Sequence, residues 1–124
     1  MSEKVLVIDD DESLRETLRV ALGRLGYWVT PAPDGYAGVA AARAESFDAA
    51  ICDVTMPGMD GLETLAALKE AVPKLQVIMA TGAPTAETAV RASELRAFAY
   101  VAKPFELSAL AALLRGACEK TRAA

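Results

Sequence analysis

Polar residues capable of chemistry stand where apolar runs stop. Asp9-Asp10-Asp11-Glu12 follows Val5-Leu6-Val7-Ile8, and Asp53 follows Ala49-Ala50-Ile51-Cys52. Thr81 follows the run from Leu75 to Ala80, and Lys103-Pro104 follows Phe98 to Val101. Carboxylates brought together from two such run ends repel unless a cation sits between them. The donors on offer are oxygens, which suits a hard ion, and Mg²⁺ takes one or two carboxylates together with waters and a phosphate group. A carboxylate in such a place can attack phosphorus and become an aspartyl phosphate. Lys103 is a point-charge donor for a phosphoryl oxygen and the Thr81 hydroxyl can donate to another. In-line transfer asks the protein for little beyond positioning and charge neutralisation, so these groups form a sufficient set. Asp53 stands alone and is the better nucleophile; Asp9 and Asp10 form the doublet that a metal would hold.

One at a time, each of these residues has a plainer reading. An Asp doublet before a helix caps it more often than it binds metal, and Asp11 reads as a cap alone. An acid after a strand forms a turn or a cap, and Asp60-Gly61 reads as a turn. Thr81-Gly82 ends a strand, Lys103 pairs with a surface acid, and Cys52 is a small buried hydrophobe rather than a redox sensor. The conjunction at four separate run ends is what favours chemistry.

Bringing those ends together requires a parallel sheet. The run Val5–Ile8 has the continuous apolar character of a strand covered on both faces. Leu14, Leu18, Leu22 and Leu25 then recur at helical spacing, and Gly26 supplies a C-terminal stop. Residues 27–30, 49–52, 75–80 and 98–101 read as further strands. Helices are predicted over 36–45, from Leu62 to Ala71, over 84–95 with Pro84 in the first turn, and from Leu107 to about Glu119. Five βα units without linker or repeat predict an α/β fold: a doubly wound (βα)5 three-layer sandwich with right-handed crossovers and a parallel five-stranded sheet in the order 2-1-3-4-5. Ligands of such sheets bind beyond the carboxyl ends of the strands, where the polar residues stand.

Composition narrows the function. The 124 residues, 53% hydrophobic and 24% charged, fit one domain over 1–124. Thirteen Lys+Arg against 17 Asp+Glu leave a net charge of −4, the wrong sign for direct binding of nucleic acid through its phosphates. With no histidine, a Ser-His-Asp triad, a His-ligated zinc and a phosphohistidine on this chain are excluded. Cys52 and Cys118 form no CxxC, no apolar stretch reaches membrane-spanning length, and the first residues do not resemble a signal peptide, so the expectation is a cytoplasmic protein without a membrane segment.

Over its whole length the chain resembles a response-regulator receiver domain of two-component signalling, with the flavodoxin-like, CheY-like fold. The resemblance is carried by Val5-Leu6-Val7-Ile8-Asp9-Asp10-Asp11-Glu12, by Asp53-Val54-Thr55-Met56-Pro57-Gly58-Met59-Asp60-Gly61, by Thr81-Gly82-Ala83 and by Tyr100-Val101-Ala102-Lys103-Pro104-Phe105. It implies that Asp53 is the phosphoacceptor and that Mg²⁺ is held by Asp10 directly, by Asp9 chiefly through water, by Asp53 and by the Thr55 backbone carbonyl. It implies that Lys103 pairs with the phosphoryl group, that the Lys103-Pro104 bond is cis, and that Thr81 and Tyr100 form the switch. The donor would be a histidine kinase or a histidine phosphotransfer protein. The switched surface, residues 84–119, would meet a downstream protein target, a fused output domain or a second copy of the chain. Such a domain catalyses its own phosphorylation and dephosphorylation and is not a turnover enzyme. The chain departs from many relatives at Arg96-Ala97, where they carry Gly-Ala before the fifth strand.

Three other functions compete for the same residues. An aspartate-based phosphatase of the haloacid-dehalogenase type would use Asp9 as nucleophile, but that family places its last acidic motif after the lysine, and Asp53 precedes Lys103. A receiver-like interaction module that never carries phosphate would lack part of the acidic set, and here the set is complete. A flavin-binding domain of the same fold should have a Gly-, Ser- and Thr-rich loop after the first strand, where this chain has four acids.

Overall fold

The computed structural model describes residues 2–123; Met1 and Ala124 of the expected 1–124 domain lie outside the described residues. Strands and helices alternate as β1 (Lys4–Ile8), α1 (Glu12–Arg24), β2 (Trp28–Ala32), α2 (Gly35–Ala44), β3 (Ala49–Asp53), α3 (Gly61–Ala71), β4 (Val77–Thr81), α4 (Ala86–Glu94), β5 (Ala99–Ala102) and α5 (Leu107–Ala123). The five strands are parallel in the order β2-β1-β3-β4-β5, as expected.

Period-two alternation along each strand divides the core in two. Leu6, Ile8, Ala50, Cys52, Val77 and Met79 face α2, α3 and α4, where Val39, Leu65, Leu68 and Ala92 meet them. Val5, Val7, Ala49, Ile51 and Ile78 face α1 and α5, where Leu18, Leu22, Leu110 and Leu114 close the other layer. The three central strands are thus apolar on both faces, which explains their unbroken hydrophobic sequences.

Several boundaries differ from the expectation. β2 runs to Ala32 through Pro31, which an edge strand tolerates because one side of its backbone needs no partner. β4 begins two residues late, at Val77; Leu75 lies in the preceding turn, where its carbonyl accepts from Lys69 Nζ at 2.9 Å. Thr85, not Pro84, begins α4: its hydroxyl accepts from the Thr88 N–H as N-cap, which leaves Pro84 outside the helix. Asp60-Gly61 is more than a turn, since Asp60 caps α3 in a reciprocal capping box with Glu63. α5 continues past Glu119 to Ala123.

Candidate functional site

All five strands point the same way, so their carboxyl ends bring Asp9, Asp53, Thr81 and Lys103 to one end of the sheet. Asp9, only 3% exposed, is the most constrained of them. Its Oδ1 accepts from the Asp11 N–H at 2.9 Å and its Oδ2 from Lys103 Nζ at 2.7 Å. Asp11 caps α1 as expected, its carboxylate accepting from the Leu14 N–H. Asp10 is exposed at the rim. Asp9, Asp10 and Asp53 each offer a carboxylate oxygen within 4.8 Å of the others.

Lys103 reaches across the sheet end. Its ammonium lies 3.3 Å from Asp53 Oδ1 while bonded to Asp9, so one cation stands between two buried carboxylates. Burial would lower the Lys103 pKa, but the bond and charge of Asp9, then of Asp53, outweigh it and raise the value. The Asp53 carboxyl is also pushed above its usual range, first by burial and then by the Asp9 charge, with Lys103 pulling the other way. One lysine therefore does not fully compensate the acids, and the all-oxygen donor set fits a hard divalent cation. The Lys103-Pro104 peptide is cis.

Thr55 is exposed beside the acids, and its N–H donates to Asp53 Oδ1 at 3.4 Å. Thr81, 1% exposed, turns its hydroxyl to its own loop and accepts from the Ala83 N–H at 3.0 Å. Tyr100 does not join the acids: its hydroxyl accepts from the Thr85 N–H at 3.3 Å and shares a short hydrogen bond with the Thr88 hydroxyl at the start of α4.

Two contributors escape sequence reasoning. Arg15 donates from its guanidinium to the Asp9 carbonyl at 2.7 Å, though in sequence it is one more charge on an amphipathic helix. Gly61 lies so close to the Asp53 main chain that a Cβ there would run into the Asp53 carbonyl oxygen and Val54 Cα. The Asp-Gly pair was a visible signal, but it suggested a turn rather than the seat of Asp53.

A model of the response regulator receiver domain matches residues 5–115. The response regulator MprA of Mycobacterium ulcerans is 34% identical over 122 residues, covering 98% of this chain and 53% of that protein. The chain spans about half the length of this curated relative and about a quarter of others, such as NtrC of Salmonella typhimurium at 24%. Among solved structures, the chemotaxis protein CheY4 of Vibrio cholerae superposes with a TM-score of 0.88 at 30% identity, over 94% of this chain and 99% of that one. A response regulator from Burkholderia pseudomallei, solved with a phosphorylated aspartic acid, a calcium ion and citrate, gives 0.87 at 31% identity over 98% of this chain and 72% of that one. Neither the phosphatase nor the flavin reading gains support from these relatives. The fold, the end of the sheet at which the acids meet, and the match over nearly the whole length agree: this chain belongs to the response-regulator receiver domain family of two-component signalling.

Proposed function

We propose that this domain accepts a phosphoryl group onto Asp53 from a phosphohistidine on a histidine kinase or histidine phosphotransfer protein, in the cytoplasm and with Mg²⁺. The observation that carries the reading is Lys103 Nζ lying between Asp9 Oδ2 and Asp53 Oδ1, inside a cluster of three carboxylates. An Asp53 carboxylate oxygen attacks phosphorus; a P–O bond forms as the donor's P–N bond breaks, and the electron pair returns to the imidazole. Lys103 draws off charge from the attacking carboxylate and then from the phosphoryl oxygens. Asp9, Asp10 and Asp53, with the Thr55 carbonyl, are the residues that would hold Mg²⁺, which when bound neutralises charge on the transferring oxygens.

The Thr81 hydroxyl, bonded only to its own loop, is free to turn toward a phosphoryl group on Asp53. Tyr100, tied to Thr85 and Thr88, links that movement to α4. The switched surface, carrying α4, β5 and α5, meets a downstream protein target, an output domain or a second copy. The domain acts on itself and is not a turnover enzyme.

The test is incubation with Mg²⁺ and acetyl phosphate, followed by intact mass. A gain of one phosphoryl group is expected, abolished by chelator and by Asp53→Asn. No adduct on the parent, or an adduct that survives Asp53→Asn, overturns the proposal.

A further inference from the structure

Three successive peptide groups of the β1–α1 turn are held by three different partners. The Asp9 N–H donates to the Ala32 carbonyl of β2 at 3.1 Å, and the Asp11 N–H donates to Asp9 Oδ1 at 2.9 Å. Between them lies the Asp9–Asp10 peptide, whose carbonyl accepts from Arg15 Nη1 at 2.7 Å. The first two are bonds any β1–α1 turn with an acid at its start can make. The third depends on one side chain, reaching back from the first turns of α1.

We infer that Arg15 is a positioning residue for the acid cluster: by holding the Asp9 carbonyl it sets the plane of the Asp9–Asp10 peptide, and so the place at which the Asp10 carboxylate meets a divalent cation. This rests on the Mg²⁺-dependent reading above. Asp9 has no need of Arg15 to place its own carboxylate, since both of its oxygens are already engaged by the Asp11 N–H and Lys103. Asp10 is different. It is exposed, and its carboxylate takes no part in the bonds that hold Asp9, so its direction is inherited from the peptide that precedes it. A charged donor at short range is a firm hold on that peptide. Because the Arg15 N–H also bonds to the Asp11 carbonyl, Arg15 joins the frame of α1 to the turn at both its backbone and its side chain.

Positioning predicts a particular pattern of loss. Residues that orient ligands from behind typically change metal affinity by roughly 10-fold or more when removed. Arg15→Ala should weaken Mg²⁺ binding, measured by calorimetric titration, about 10-fold. The phosphorylation rate at saturating Mg²⁺ should stay near that of the parent, so that the defect lies in the Mg²⁺ requirement and not in the maximal rate. Arg15→Lys, which keeps a charged donor, should recover most of the affinity. Arg19→Ala removes a cation from the same helix, one that pairs with Glu16 and touches neither Asp9 nor Asp10, and should leave affinity at the parental level.

In chelator, the Asp10 and Asp11 amide resonances of Arg15→Ala should shift while those of α5 stay in place. An affinity within twofold of the parent overturns the inference, as does a loss accompanied by amide shifts throughout the chain, which would make Arg15 a folding residue. A parent that takes up phosphoryl groups with Mg²⁺ while Arg15→Ala shows the same Mg²⁺ affinity and the same Mg²⁺ requirement sinks this role alone. A parent with no Mg²⁺ response sinks the functional reading and this role with it.

Discussion

Two helices end in the same way with different residues at the decisive position. At the end of α1 the Gly26 N–H bonds to the Gly23 carbonyl and the Tyr27 N–H to the Leu22 carbonyl, with Gly26 at φ +98°. At the end of α4 the Arg96 N–H bonds to Ser93 and the Ala97 N–H to Ala92, with Arg96 at φ +66°. Both are Schellman endings, and the second places a side chain in the left-handed region. That costs an L-residue about 1–2 kcal/mol, partly offset because glycine loses more entropy on folding. Arg96→Gly should therefore stabilise the domain by about 1 kcal/mol in denaturant unfolding, whereas Arg96→Ala, still left-handed and with a Cβ, should gain little. Asp53 carries strain of another kind. A carboxyl raised in the folded state opposes folding when ionised: the penalty is absent below the ordinary carboxylate pKa and complete above the folded one. In chelator, Asp53→Asn should melt above the parent at pH 7, with the gap closing as the pH falls through the carboxylate range; equal melting temperatures at pH 7 would contradict the burial and Asp9 repulsion that raise it. Residue by residue, Asp9, Asp53, Thr81 and Lys103 were legible because each interrupts an apolar run. Arg15 and Gly61 were not, because each acts on the backbone of another residue, Asp9 and Asp53, and side-chain patterning does not report contacts made to a main chain.

Among the elements, α4 is attached in an unusual way. Ala92 is its one buried residue. Its first turn is held instead by hydroxyls: Thr85 caps it, the Thr85 and Thr88 hydroxyls lie 2.9 Å apart, and Tyr100 of β5 bonds to both residues. An element held by few apolar contacts and half-exposed hydrogen bonds belongs at the low end of local stability. Thr88→Val removes the side-chain link to Tyr100 while keeping the shape. It should cost α4 about 1 kcal/mol, read as roughly fivefold faster amide exchange across 86–94, with β1, β3 and β4 unchanged. Exchange that rose equally in the central strands would show that the hydroxyl link supports the whole fold and not this helix. The sequence misplaced the start of α4 because Pro84 and Thr85 both carry initiation signals, and only the hydroxyl bond to the Thr88 N–H decides between them. The strand order was legible for a different reason: doubly buried strands alternating with one-sided helices leave few ways to cover both faces.

At the scale of the whole molecule, the sheet separates two half-cores, and each contains one thiol. Cys52 lies with the α2, α3 and α4 layer and Cys118 with the α1 and α5 layer, both fully buried. Burial raises both thiols, Cys52 with further help from the Asp53 charge, and Cys118 is pushed up to about 12 by burial, then by Glu3 and Asp48. Raising the pH from 7 to 9 should therefore not make the folded protein reactive, since the thiolate forms only after exposure. The two sites then report on the two layers separately. The central strands contribute alternate side chains to both half-cores, so neither layer can open without stripping one face from β1, β3 and β4, which favours a single cooperative transition for a domain of this size. In sub-denaturing urea, Cys52 and Cys118 should label at equal rates, with the same dependence on urea, when followed by peptide mass after alkylation. A Cys118 that labels faster, with a shallower urea dependence, would show that α5 detaches while the sheet and its acid cluster stay folded, and the two layers would then have to be treated as separate cooperative units.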